Sequence, residues 1–429
     1  MHTNMDSNPP RSRLLPRCAA LMLVLGWFGC AGPVPATTAT PAATAATTAV
    51  PEEPPVTTAT PTTPAPPSAS PAGDIAALPL ADWQPSSTLA VKRTRVARAG
   101  VPAIDAHTHL ARVEDVAAVV AGMDALGLET LVNLDGFSGG RLERALDRFD
   151  RAYPGRFLTY ARLDWSGIDD PGWARRAAAQ LAADFEAGAK GLKLLKNFGL
   201  HVRFQDGRRL ALDDALMEPI WEVCIRYRRP LMWHVADPAP FFTPLDAHNE
   251  RWHELHEFPE WSFADRGRFP SREQLFAERN RVLERHPDLI VVGAHLGSSS
   301  EDLARLAGWL DRYPNFFVDT SARINEIGRQ PYTARRFLVR YQDRVLFGTD
   351  LRAADRAGYE VYFRFFETDD EYFDTTPAND RQGFWMIYGV YLPEPVLRKL
   401  YHDNARRLLG FEPFDPAGPA GLTGPAGPR

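Results

Sequence analysis

Val101-Pro-Ala-Ile104-Asp105-Ala-His107-Thr108-His109 is the stretch from which the rest of the chain is read. Its opening residues form a short apolar run, the pattern of a buried strand, and the run ends in two histidines spaced by one residue. Residues two apart on a strand share a face, so His107 and His109 point the same way and can grip one metal ion. Far downstream, Phe347-Gly348-Thr349-Asp350 ends a second buried-looking run in a carboxylate.

Outward from that strand, short apolar runs alternate with amphipathic segments, the pattern of a parallel sheet with crossover helices. Strands are expected at 101–106, 129–134, 157–163, 191–195, 230–234, 289–294, 316–320 and 345–348. Helices are expected at 113–126, 141–153, 172–187, 213–228, 271–286, 300–313, 332–341 and 394–409. Eight βα units favour an α/β fold of the closed (β/α)8 TIM-barrel kind over an open sheet, with chemistry where strands run out into βα loops. Asp170-Pro171 marks one helix start, Ser271 with Gln274 reads as a capping box, and Ser298 to Ser300 reads as the cap of the sixth helix. Long insertions follow strand five (236–270) and strand eight (351–393) and suit lids or substrate walls. The second is rich in aromatics from Tyr359 to Trp385, which read as a satellite core ahead of a stacking platform.

The flanks differ in kind. Arg11, Arg13 and Arg17 precede an apolar stretch ending at Gly29-Cys30, too short to span a bilayer comfortably, which reads as an export signal over residues 1–30. Gly29-Cys30 resembles a lipoprotein cleavage box, which predicts a cell-envelope protein touching membrane only through an N-terminal lipid. A Pro/Thr/Ala-rich linker (31–74), poor in large side chains, and an arm (75–100) lead to the barrel domain (101–412), and a Gly/Pro tail closes the chain (413–429). Of three cysteines only Cys224 lies in the barrel domain, so no intrachain disulfide is expected to staple it. The net charge of -5, with both signs interleaved, offers no nucleic-acid groove and leaves a small-molecule substrate as the expected partner; a homo-oligomer is compatible with the sequence.

Metal-type side chains fall at the ends of four expected strands: His107 and His109 after the first, His234 ending the fifth, His295 after the sixth and Asp350 after the eighth. A barrel brings such positions to one axis. A divalent ion held by imidazoles and a carboxylate lowers the pKa of bound water and polarises a carbonyl, and a further histidine titrates near neutral pH and can move the proton.

The order His-x-His, His, His, Asp along eight βα units resembles the amidohydrolase superfamily, in its amidohydrolase-related branch of lactonases and nonoxidative decarboxylases, over about 102–409. The resemblance implies one divalent ion, zinc or alternatively manganese, held by His107, His109, His234 and Asp350, with His295 serving the metal-bound water or the substrate. The opposite assignment, Asp350 as proton shuttle and His295 on the metal, stays open. Asp105, of the same strand parity as the two histidines, either orients a ligand ring or bonds backbone.

Lys193 and Lys196 on strand four lie opposite in parity, so one at most is expected inward, and Lys196 is nearer the strand end. Some relatives bridge two metals with a carboxylated lysine on this strand; one metal is expected here, with Lys196 available to a substrate carboxylate. Arg323, beyond strand seven, suits a carboxylate substrate too, or an internal pair with Asp319 or Glu326. His253-Glu-Leu-His256 lacks the zinc-protease spacing, since Glu257 stands where the second histidine is needed. Hydrolysis of a lactone, amide or ester leads the expectations. Decarboxylation of an aromatic or unsaturated acid is the alternative, and a binding protein that has lost turnover is the third.

Overall fold

A computed structural model describes residues 87–375 and 382–411. The export signal, Cys30, the linker, the tail and the first residues of the arm lie outside the described residues.

Eight strands form where eight were expected: β1 Ala103–Thr108, β2 Leu128–Asn133, β3 Phe157–Thr159, β4 Leu192–Leu194, β5 Leu231–Trp233, β6 Val291–Gly293, β7 Phe316–Asp319 and β8 Val345–Leu346. All pairings are parallel and join chain neighbours, giving a sheet of β1-β2-β3 and a sheet of β4-β5-β6-β7-β8. Backbone bonds cross both seams. Ala161 N donates to Gly191 O and Lys193 N to Ala161 O, each at 2.8 Å, while Ala106 N donates to Phe347 O at 2.9 Å and Asp350 N to His107 O at 2.8 Å.

Parallel neighbours require crossovers, and helices supply them: α1 Val116–Leu126, α2 Gly139–Leu146, α3 Trp173–Ala187, α4 Glu218–Arg226, α5 Arg272–Arg285, α6 Leu303–Arg312 and α7 Pro331–Arg340. In α1 the Asp115 side chain accepts from Ala118 N, Gly127 closes the helix at φ 75°, and Val116, Val119, Met123 and Leu126 form the buried stripe. Alternate strand residues separate two packing layers. Ile104, Val132, Leu158, Met232, Val292 and Leu346 pack together on the enclosed side. Leu131, Leu192, Leu231, Val291, Phe316 and Val345 belong to the larger core under the helices. Each such burial contributes roughly 1.5–3 kcal/mol before entropy is counted. Lys193, in register with Met232, occupies an enclosed position where its neighbours are apolar.

Two helix starts differ from expectation. Ser271 caps α5 without a side-chain bond, and the Gln274 side chain donates to Glu278 Oε1 at 2.9 Å one turn on rather than reaching back to close a capping box. The cap of α6 is Asp302, whose side chain accepts from Arg305 N at 2.9 Å, while Ser298 belongs to a left-handed turn described below.

The insertion after β5 holds only short helical turns, among them Trp252–Glu257. The one after β8 contains α8, Arg356–Glu367, whose Tyr359, Tyr362, Phe363 and Phe366 are buried around Phe347 and Tyr401 as a satellite core. The arm fastens this unit from outside: Thr94 donates twice to Asp370, and Arg95 grips Glu360 through two 2.9 Å bonds. Among the described residues no helix is long and apolar enough to cross a membrane.

Candidate functional site

β1 and β2 slip register between Asp105, opposite Leu131, and Thr108, opposite Asn133, so three β1 residues face two of β2. Such a bulge breaks simple alternation. Ile104 and Ala106 are already on the enclosed side, and the extra residue turns His107 there as well. Asp105 therefore bonds backbone and helix α8 rather than a ligand ring. It accepts from His107 N (2.9 Å), Thr349 N (3.1 Å), the Thr349 hydroxyl (2.5 Å) and Tyr359 OH (2.6 Å), tying β1 to the residue before Asp350.

His107 Nε2 and His109 Nε2 lie 3.6 and 3.2 Å from Asp350 Oδ1, and the three atoms form a group within 4.8 Å of one another. Their other nitrogens are taken: His107 Nδ1 meets Asp319 Oδ2 at 2.8 Å, and His109 Nδ1 meets Asp135 Oδ1 at 2.9 Å. A carboxylate accepts the Nδ1–H in each case and leaves the Nε2 lone pair facing Asp350. Asp350 Oδ1 is buried without a hydrogen-bond partner. Two imidazole nitrogens and a carboxylate oxygen converging on one point are a donor set that fits a divalent cation. Burial alone would raise the Asp350 carboxyl, but His107, His109 and Lys193 outweigh it and hold it well below the usual range. Asp350 itself sits at φ 67°, a left-handed conformation that costs a residue other than glycine energy.

A second group, His107, His295 and Asp319, is already filled. The Ser321 hydroxyl stands 2.9 and 3.0 Å from the Nδ1 atoms of His107 and His295 and 2.5 Å from Asp319 Oδ1, which also accepts from His295 N. His295 belongs to a turn in which His295, Leu296, Gly297 and Ser298 all have positive φ. Arg279 bonds the Gly297 carbonyl, and Arg272 the Ser298 carbonyl, holding that strained backbone in place.

His295 Nδ1 faces Ser321 O at 2.9 Å and its Nε2 faces His234 Nδ1 at 3.2 Å. Burial, then His234 and Arg323, push the His295 imidazole well below its ordinary pKa. His234 lines the same cavity, but its ring packs tilted against His295, 4.2 Å between centroids, and it falls outside the His107–His109–Asp350 group. Its Nε2 is buried without a hydrogen-bond partner, 3.5 Å from Asp237 Oδ1.

Both lysines of the fourth strand reach the site, contrary to the parity expectation, because alternation ends with β4 at Leu194. Lys193 Nζ is 3.2 Å from His107 Nε2, and burial pulls its ammonium down to about 8. Lys196 Nζ pairs with Asp237 Oδ2 at 2.6 Å on the cavity wall. Arg323 stands 3.8 Å from Asp237 with its Nε unpartnered. Neither internal partner foreseen for it is free, since Asp319 holds His107 and Glu326 pairs with Arg251. The cavity above these groups is about 350 Å³ and carries Arg112, Arg162 and Arg352 on its walls.

Sequence reasoning missed Asp135, and it saw Asp319 only as a partner for Arg323. Both stand at strand C-termini, so the placement rule that singled out the histidines could have found them. His253 and His256 sit on a six-residue helix of the β5 insertion, outside the cavity wall.

No curated protein matches the chain in sequence. Among solved structures it is similar to a TIM-barrel protein from Bordetella bronchiseptica (17% identity, 69% of this chain and 83% of that one, TM-score 0.45). It is also similar to a 2,6-dihydroxybenzoate decarboxylase bound to 2,6-dihydroxybenzoate (20%, 69% and 88%, 0.43). A third is 4-oxalomesaconate hydratase from Rhodopseudomonas palustris (16%, 72% and 96%, 0.42). Likeness at this level transfers no substrate. The family described as Amidohydrolase, in contrast, matches residues 79–411, more than half of the chain. The chain belongs to the amidohydrolase family.

Proposed function

We propose that this protein is a metal-dependent hydrolase of a small carbonyl substrate, a lactone, amide or ester, and that its two sheets act as one closed barrel around the site. The observation that carries the reading is the convergence of His107 Nε2, His109 Nε2 and Asp350 Oδ1, each ring locked from behind by a carboxylate. These three would hold one divalent ion, zinc or manganese, and His234 is the family's fourth donor, supported by its unpartnered Nε2. Such an ion supplies Lewis acidity: it acidifies water and polarises a carbonyl oxygen.

The chain's own residues do the rest. Asp319 and Asp135 fix the tautomers and aim both rings. His295 gives its Nδ1–H to Ser321 O, so Nε2 is its basic atom and takes the proton released on attack, in place of the one now offered by His234. Asp350 is the alternative proton holder. Lys196 and Arg323 stand ready around Asp237 to hold substrate oxygens.

The cations on the cavity wall favour one second reading, nonoxidative decarboxylation of a carboxylic acid, in which a protonated histidine or Asp350 delivers a proton to carbon. A panel of lactones, amides, esters and aromatic acids, offered to the metal-loaded protein, separates the two. Hydrolysis products without carbon dioxide support the first reading, and carbon dioxide release overturns it. We also propose export with lipid attachment at Cys30; Cys30→Ser should abolish incorporation of labelled palmitate, and unchanged labelling refutes the anchor.

A further inference from the structure

Beside the cavity over His107, His109 and Asp350 lies a second one of about 460 Å³, walled by the segments that follow β2, β3 and β4. The two share Phe137, Arg162 and Leu195, so they adjoin along one wall. Lys193 forms part of the second wall while its Nζ also touches His107 Nε2 at 3.2 Å.

Lys193 is 1% exposed, and among the described residues no carboxylate lies within ion-pair distance of it. A buried ammonium without a paired anion is costly. Its present acceptor is the lone pair that a metal would take, so loading the site releases this donor, whose side chain already lines the second cavity. Arg141, on the same wall, has no ion pair among the described residues and lays its guanidinium 3.5 Å over the Phe137 ring. Arg162, whose guanidinium lies 5.2 Å from the centre of the same ring, is committed to Asp135. Phe137 holds this place at φ 61°, a strained conformation of the kind that clusters at ligand sites. Trp165 and Asn197 complete a wall that is aromatic and hydrogen-bonding, and its one acid, Asp164, is turned to Ser166 N.

We propose that this second cavity receives the carboxylate of an elongated carboxylic-acid substrate, held by the Lys193 ammonium and the Arg141 fork while the reacting carbonyl lies at the His107–His109–Asp350 end. The proposal rests on the reading of His107 as a metal ligand. It makes metal and acid binding cooperative, because the metal frees Lys193 for the acid.

Calorimetric titration of the zinc-loaded protein with α,ω-dicarboxylates of increasing length, each against the monocarboxylate of equal length, tests it. At least one diacid should bind about tenfold more tightly than its monoacid, the usual effect of one added charge-assisted contact. Arg141→Ala and Lys193→Met should each erase that advantage, with circular dichroism unchanged and Arg141→Ala keeping its zinc. No diacid advantage, or an advantage that survives in both variants, overturns the subsite. Zinc content measured on the same samples separates the two readings: a protein that binds no zinc yet keeps an Arg141-dependent diacid preference sinks the metal reading and leaves the subsite standing.

Discussion

Asp319→Asn should cripple metal binding while leaving the fold in place. In the native protein Asp319 Oδ1 accepts from His295 N at 2.9 Å and Ser321 N at 3.0 Å, and Oδ2 takes the Nδ1–H of His107 at 2.8 Å. An asparagine that keeps the two backbone donors on its Oδ1 must present its NH₂ to His107. Two donors cannot face each other, so the imidazole shifts its proton to Nε2 and loses the lone pair that faces Asp350. Loss of an orienting partner costs about 10–100-fold in metal affinity, and this change reverses a tautomer, which puts the expected loss at the upper end, about 2.8 kcal/mol. Zinc competition against a chromophoric chelator measures the affinity, and nitrogen-15 shifts of the histidines report the tautomer. Wild-type zinc affinity in a folded Asp319→Asn protein, with His107 still protonated at Nδ1, would refute the reasoning.

Tyr362→Phe removes the acceptor of Ala322 N (2.9 Å) and the donor to Thr349 O (3.0 Å), so melting should fall by several degrees and zinc affinity should drop with it, whereas a purely structural role would lower melting alone. The Asp150 carboxyl is raised by burial from 3.8 to about 6, so the folded state holds a proton the unfolded state has released, and stability should fall as pH rises from about 4 to about 6. Asp150→Asn should flatten that slope in urea titrations, and an unchanged slope counts against the assignment. Gly191→Ala would place a Cβ 2.3 Å from the Tyr160 ring and 2.7 Å from Pro230 O, so it should destabilise by several kcal/mol or prevent folding, and near-native melting would contradict the packing.

The eight parallel strands were legible because each is a short apolar run between amphipathic helices, and burial on both faces leaves no other pattern. Individual directions were not. The β1 bulge is a matter of which residues pair, and nothing in Asp105-Ala-His107 announces it, so spacing left Asp105 open between ring partner and backbone acceptor, and the structure shows the latter. Lys196 escaped the parity argument because β4 stops at Leu194. The turn at His295 to Ser298 has one glycine among its four positive-φ residues and depends on Arg272 and Arg279 from a distant helix, a tertiary compensation that local sequence does not display. The meeting of His107, His109 and Asp350 was within reach because strand ends in such folds share one face. The position of His234 against His295 depends on side-chain packing that spacing does not fix.

Elemental analysis of the purified full chain, beside His107→Ala, His109→Ala and Asp350→Ala, tests the central claim most directly. One divalent ion per chain in the native protein, and loss of that ion in each folded variant, is the predicted result. Two ions per chain, or an ion retained in full by a folded His107→Ala or Asp350→Ala protein, would contradict it.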